Sequence, residues 1–532
     1  MKKRILLLCV CLILVVSCFL VSCELDYETL DIGEIESAIR SEISTSKDTE
    51  VSTDGERENN KHNNNNKHNN NNNNNDNSAE DNEELKPPID IPDIGGETEL
   101  PDGDFGGAEI CVLTNGAPLN SYPLFSNDDT TFMGAALYKR EMKIESSLNV
   151  KIENHMLASS SYLKFRDQVL QSVLSGEGAF DIIEGESRAM VQLAAEGVLM
   201  DINTLDGIDT DAEYWNDNAV NDLATRDGAL FFIDGAVSYG NMERTLVVFF
   251  NNEMIENHGL TSPYDHIMND TWNVETFSRM ARDVVMDNDA NGEWNIEFDT
   301  FGYVTLARQM ALFAFYHAGE NSIVFNNGSS VINWMSENVL STAGNVLSMK
   351  DENFTYYGGA SKNQIVQNAF REGRALFCTD VLNLRDRLSC DGQMDIGIVP
   401  LPKANSDMKG YDSSTMTGTG LPYIYSIASD VKNSFVSAAV LDAFAAYGYS
   451  EVIEPYIFCE ANDQRMAASM TLIFESLNYD LSFIGNLGPV SSILGGFDLT
   501  AENVRGIIEG RSEQLKQYRE EWENQISVWL GK

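Results

Sequence analysis

From about residue 105 onward, apolar and polar positions alternate in a repeating order. Glu109-Ile110-Cys111-Val112-Leu113 is a short apolar run of buried-strand type. Leu137, Ile144 and Leu148 then share one helical face, and Val150-Lys151-Ile152 reads as a second strand. Tyr162, Phe165, Val169 and Val173 recur at helical spacing, and Gly176-Glu177-Gly178 ends that stripe. Phe180-Asp181-Ile182-Ile183 is a third strand, followed by a helix with Met190, Leu193 and Ala194 inward and Gly197 at its end. Strand, helix, strand, helix in this order predicts an α/β fold with a parallel sheet covered on both faces. Ligands of such sheets gather at the carboxyl ends of the strands. Leu515, Tyr518, Trp522, Ile526 and Trp529 form a last stripe, which predicts a closing helix packed through both tryptophans.

The N-terminal pattern is different. Lys2, Lys3 and Arg4 precede an almost wholly apolar stretch from Ile5 to Leu20, an export signal that is short for a membrane span. Leu20-Val21-Ser22-Cys23 resembles the lipobox of bacterial lipoproteins. That resemblance implies a signal peptide over 1–22 and a lipid on Cys23; a site ending at Cys18 would leave a shorter apolar run. Residues 23–104 are acidic, poor in aromatics and carry an Asn tract with His62 and His68. Such a composition cannot offset the entropy of ordering, so the segment is expected to be a disordered tether. As a flexible coil it would span roughly 50 Å.

Charge and cysteine content narrow the function. The chain has 532 residues, with 82 acidic against 36 basic side chains and a formal charge of −46. That balance argues against a nucleic-acid partner, which needs a dense basic surface. No Gly-x-Ser-x-Gly elbow, His-Glu-x-x-His helix or P-loop occurs, and His155, His258, His266 and His317 show no ligand spacing. Cys9, Cys11 and Cys18 leave with the signal. Of Cys111, Cys378, Cys390 and Cys459, the pair Cys378 and Cys390 is closest in sequence, and connectivity cannot be read from spacing.

A family resemblance joins these pieces. Val173 through Ile183 (Val-Leu-Ser-Gly-Glu-Gly-Ala-Phe-Asp-Ile-Ile) and Leu193 through Ile202 resemble the first lobe of extracellular solute-binding protein family 1. These are the substrate-binding lipoproteins of ABC importers, maltose- and oligosaccharide-binding proteins among them. Val248-Phe249-Phe250-Asn251-Asn252 with His258-Gly259-Leu260 and Thr271-Trp272 resembles that family's crossover into the second lobe. Ala369-Phe370 through Gly373-Arg374-Ala375-Leu376-Phe377 is similar to its return crossover, and Asp395 through Lys403 to the strand after it. Tyr456, Asp463, Met470, Phe474 and Tyr479-Asp480-Leu481 are similar to a tail of its lipoprotein subgroup.

The resemblance implies a two-lobed periplasmic-binding-protein-like fold (type II), with the ligand cleft between the lobes. Mapped here, lobe one covers 105–240 and 376–428, and lobe two covers 241–375 and 429–532. It implies a monomer on the extracellular face of the cytoplasmic membrane, held by its N-terminal lipid. Such a protein closes about a solute, most simply an oligosaccharide, and presents it to ABC permease subunits without chemical change. The alternatives are a secreted glycan-active hydrolase and a ligand-presenting surface sensor or adhesin.

Sugar clefts combine flat rings with carboxylates, amides and hydroxyls. Strand ends and crossovers offer Glu184, Glu186, Ser187, Trp215, Tyr239, Asn241, Thr379 and Asp380 as ligand-binding candidates, and no residue as catalytic. No cofactor is required. Asp287-Asn288-Asp289-Ala290-Asn291-Gly292-Glu293 follows the start of a calcium loop, with Asp287, Asp289, Asn291 and Glu293 as candidate ligands of a structural ion. The bidentate Glu at the twelfth position is replaced by Phe298, flanked by Glu297 and Asp299, so a ligand from elsewhere is needed.

Overall fold

A computed structural model describes residues 103–115, 124–126, 130–157, 161–390, 392–414, 421–496 and 498–531, all within one compact unit, 87–532. The expected signal peptide, Cys23 and the expected tether up to residue 102 lie outside the described residues. Among the described residues no helix is long and apolar enough to cross a membrane.

The strands, in chain order, are β1 Ala108–Asn115, β2 Val150–Leu157, β3 Ile182–Glu186, β4 Leu246–Asn251, β5 Phe301–Leu306, β6 Ile323–Asn326, β7 Ser329–Ile332, β8 Thr355–Gly358, β9 Ala375–Val381, β10 Ile396–Val399, β11 Ser413–Ser414, β12 Tyr423–Ile427 and β13 Leu477–Asn478. They build an α/β molecule on two main sheets. The first has the order β12-β3-β1-β2, with β1 parallel to both β2 and β3 and β12 antiparallel to β3. The second has the order β10-β4-β9-β5-β8; β5 runs parallel to β8 and β9, while β4 is antiparallel to β9 and β10.

The helices follow from their caps and stripes. Thr131 caps the helix Phe132–Leu148, and Asn149 ends it in a left-handed conformation. Ser161 and Gly176 do the same for Tyr162–Ser175, whose Phe165, Val169 and Val173 are buried as the spacing predicts. The helix Val274–Asp283 lies so close to β5 that a Cβ on Gly302 would stand 1.9 Å from the Ala281 carbonyl oxygen, so only glycine fits there.

Sheet membership corrects the expected chain path. The family resemblance implies a return to the first lobe at 376, yet β9 and β10 both pair inside the second sheet. Only β12 rejoins the first, so the chain crosses back between Val399 and Tyr423. The following helix, Ser434–Gly448, packs on Phe132–Leu148 beside the first sheet, whereas Gln464–Glu475 packs on β10 of the second. Residues 429–532 therefore serve both halves. Between them the helix passes through a π-turn, Tyr449–Ile453, ahead of Pro455. Proline cannot donate to the carbonyl four residues back, and the wider turn accommodates that missing bond.

One further expectation changes, and the open question of the cysteines closes. Trp522 is buried and donates to the Val191 carbonyl, but Trp529 is 59% exposed, lying over Gly197 with its indole donated to Ala195. All four body cysteines are free: Cys378 is wholly buried on β9, and Cys390 accepts a contact from Arg371 instead of bridging to it.

Candidate ligand site

β3 ends where the helix Ser187–Ala195 begins, so four polar residues meet at one strand-to-helix junction. Alternation along the strand puts Glu184 and Glu186 on the same face. Glu184 is buried and accepts from the Tyr425 hydroxyl at 3.3 Å. Burial pushes its pKa up to about 7, against the pull of that bond and of Arg244 and Arg140. Glu186, half-buried, pairs with Arg188, whose guanidinium stacks 4.2 Å from the Tyr162 ring centroid. The Ser187 hydroxyl donates to the Ile484 carbonyl at 2.8 Å, which ties this junction to the C-terminal region.

The first crossover is held by Asn241. Its amide donates to Asp234 at 2.7 Å and to the Tyr423 carbonyl at 2.6 Å, and its oxygen accepts the Tyr423 N–H at 2.9 Å. Asp234 also accepts from the Tyr479 hydroxyl, and its burial raises its pKa to about 6. Arg244 lies 4.8 Å from the Tyr423 ring centroid and donates to Gly240. Arg140, wholly buried on the helix before β2, donates to the carbonyls of Leu124 and Val237. Glu184, Asn241, Asp234, Arg140, Arg244, Tyr425 and Tyr479 thus make one buried polar nest next to the first sheet. Tyr239, at the edge of this crossover, is half-buried and stacks on Tyr456.

Thr379 anchors a second nest, on β9, and Asp380 follows it on the opposite face of the strand. The Thr379 hydroxyl shares hydrogen bonds with Tyr303 at 2.9 Å and Thr305 at 2.7 Å. Asp380 accepts from Gln367 at 3.1 Å, and burial lifts its pKa. Alternation points these two side chains to opposite faces of the second sheet. Trp215 belongs to neither nest. It is 2% exposed, donates to Asp442 at 3.2 Å and has no open ring face for a ligand.

The structure therefore brings Glu184, Glu186, Ser187, Tyr239 and Asn241 into one region, places Thr379 and Asp380 on the other sheet, and sets Trp215 apart. Sequence reasoning missed Arg140, Tyr162, Arg188, Asp234, Arg244, Tyr423, Tyr425 and Tyr479. One signal was available: Arg140 is a charge on the Leu137–Ile144 apolar stripe, where only a satisfied ion belongs.

In the acidic loop, the carboxylate oxygens of Asp287, Asp289 and Asp299 lie within 4.8 Å of one another. Asp299 is buried and accepts the N–H groups of Asn288 and Asn295, so it folds inward where Phe298 cannot. Asn291 donates its amide to Asp289 and accepts the Glu293 N–H, and Gly292 turns the chain at φ 81°. Glu293 is exposed, and its carboxylate is not part of the cluster.

No family model and no curated protein matches the chain. Solved structures do. The extracellular solute-binding protein from Staphylococcus aureus in complex with maltose is 11% identical, over 79% of this chain and 97% of that one, with a TM-score of 0.50. A cyclic α-maltosyl-1,6-maltose binding protein from Arthrobacter globiformis is 13% identical over 80% and 99%, with a TM-score of 0.48. An ABC substrate-binding protein from Listeria monocytogenes in complex with cycloalternan is 15% identical over 80% and 99%, with a TM-score of 0.42. Identities this low speak to architecture alone, and of these three the first carries the comparison. The chain has the two-lobed α/β fold of extracellular solute-binding proteins.

Proposed function

We propose that this chain is the extracellular, lipid-anchored substrate-binding protein of an ABC importer, and that it captures an oligosaccharide by closing its lobes. The observation that carries this reading is the pair of polar nests, one beside each sheet, in a fold that a maltose-bound protein shares. Half-buried Tyr162, Arg188, Glu186 and Tyr239 offer ring faces beside charged hydrogen-bonding groups, a combination that suits the C–H faces and hydroxyls of a neutral sugar. A solute touching both lobes would favour the closed state by its differential affinity. Cys23 would carry the lipid, permease subunits would receive the closed monomer, and no bond in the solute would change. The loop at Asp287, Asp289 and Asp299 would hold a structural calcium ion.

A thermal-shift screen of the full chain against oligosaccharides and polyamines tests the reading. A sugar at a hundred times its Kd should stabilise the native state by about 2.7 kcal/mol. Scattering should then show a smaller radius of gyration with that sugar bound. Response to polyamines with every sugar silent, or turnover of a glycan in place of stoichiometric binding, overturns it.

A further inference from the structure

We propose that a cavity of about 180 Å³ beside the middle of the C-terminal helix is a second binding site, for a small zwitterion of the α-amino-acid type. It adjoins the first polar nest, since Asp222 accepts the Tyr479 N–H, but shares no lining residue with either nest. Its walls come from distant parts of the chain: Asp222 at the end of the helix Asp217–Leu223, Asn321 and Phe325 around β6, Asp480 after β13, and Arg519 on the helix Ser512–Trp529.

Arg519 is the informative wall. It is 4% exposed, and its guanidinium lies between the rings of Phe325 and Trp522, at 5.1 Å and 5.5 Å. Nε donates to Glu523 at 2.9 Å, and among the described residues this is its one hydrogen bond. The two terminal nitrogens are therefore unmatched donors on a buried, cavity-lining cation. A guanidinium fork in that condition suits a carboxylate held by two parallel bonds.

The other walls have the opposite need. Asp222 accepts from Asn321 Nδ2 at 2.7 Å and from the Tyr479 N–H at 3.3 Å, which leaves lone pairs on both oxygens. Asn321 Oδ1 is buried with no hydrogen-bond partner. Asp480, already bonded to Tyr316 and Ser322, adds negative charge. A lone anion would meet Asp480 and Asp222, the latter lifted by burial to a pKa of about 7, and a lone cation would meet Arg519. A molecule carrying both charges answers both walls, with its carboxylate on Arg519 and its ammonium on Asp222 and Asn321 Oδ1. The volume suits a small amino acid and excludes an oligosaccharide.

Calorimetric titration of the full chain with L-alanine and L-serine tests the site, with acetate and methylammonium as single-charge controls. The amino acids should bind saturably with one-to-one stoichiometry, and each control at least ~tenfold more weakly. Asp222→Asn keeps the volume and should weaken alanine binding about tenfold; Arg519→Gln should weaken it further. Because Arg519 is buried, Asp222→Asn remains the deciding variant where Arg519→Gln does not fold. Absence of heat from both amino acids, acetate binding as well as alanine, or unchanged binding in folded Asp222→Asn overturns the assignment. Alanine titrations repeated with the inter-lobe site saturated by sugar should give the same affinity, so failure of the sugar reading would leave this result standing.

Discussion

The ring of Tyr239 lies face to face with that of Tyr456, with centroids 4.6 Å apart and planes 13° from parallel. Tyr456 is itself fixed, since it is 1% exposed and donates its hydroxyl to Glu243, which in turn faces Arg385. One face of Tyr239 is therefore held by a fixed neighbour, and on the proposed reading this half-buried ring at the crossover packs against the sugar. Tyr239→Ala should weaken oligosaccharide binding about tenfold, whereas Tyr239→Phe should retain most of it. Calorimetry with the best sugar from the screen reads this directly. Unchanged affinity in Tyr239→Ala removes the residue from the site.

Glu184 makes stability depend on pH. Its folded pKa of about 7 lies above the ordinary 4.5 because burial disfavours the charged form. Between those values the folded chain holds a proton that the unfolded chain has released, so stability falls as pH rises through the window. At about 1.4 kcal/mol per unit the loss is of order 3 kcal/mol. Asp234, raised to about 6, acts in the same direction, whereas buried His317, pushed down to about 4, acts in the opposite one below 6.5. The contribution of Glu184 is therefore read as a difference. Urea unfolding from pH 5 to 8 should show the wild type losing stability relative to Glu184→Gln as pH rises. Parallel curves for the two proteins would rule out a protonated Glu184.

Trp215 separates packing from binding. Its indole and the Tyr214 hydroxyl both donate to Asp442, at 3.2 Å and 2.8 Å, and the Asp209 N–H reaches the same carboxylate. This cluster pins the loop before the first crossover to the buried helix Ser434–Gly448. Trp215→Phe leaves one Asp442 lone pair unmatched and should cost about 1–3 kcal/mol in chemical denaturation. Sugar affinity should not change. A loss of affinity without a loss of stability would return Trp215 to the ligand site.

How far the sequence carried this picture depends on distance along the chain. The stripe Phe165, Val169, Val173 and the strands of the first βαβ units were legible because their periodicity is local. The placement of β9 and β10 was not, because a buried strand has the same apolar pattern in either sheet and only its hydrogen-bond partner decides. Candidate polar residues failed to sort for the same reason. Glu184 finds Tyr425 at 241 positions' remove, and Thr379 finds Tyr303 at 76, so a buried structural acceptor and a solvent-facing ligand group look alike in sequence. Arg188 and Tyr162 were invisible as a pair until the helix Tyr162–Ser175 was seen packed against Ser187–Ala195.

The acidic loop yields the last prediction. Asp287 is held below the ordinary carboxylate value, chiefly by the Gly292 N–H. Three carboxylates converging within 4.8 Å repel one another, and a hard divalent cation bound by their oxygens would reverse the sign of that interaction. Asp299 would supply from the thirteenth position the oxygen that Phe298 lacks at the twelfth, and its two backbone N–H bonds hold it at the loop. Calcium added to EDTA-treated protein should raise the melting temperature by a few degrees, and magnesium, which resists losing its waters, should do so less. Asp287→Asn should remove the calcium response while leaving the apo melting temperature equal or slightly lower, because the ionised carboxylate is favoured by the Gly292 N–H in the folded loop. An equal calcium response in wild type and variant would show that the loop is an acidic turn closed by its own backbone hydrogen bonds.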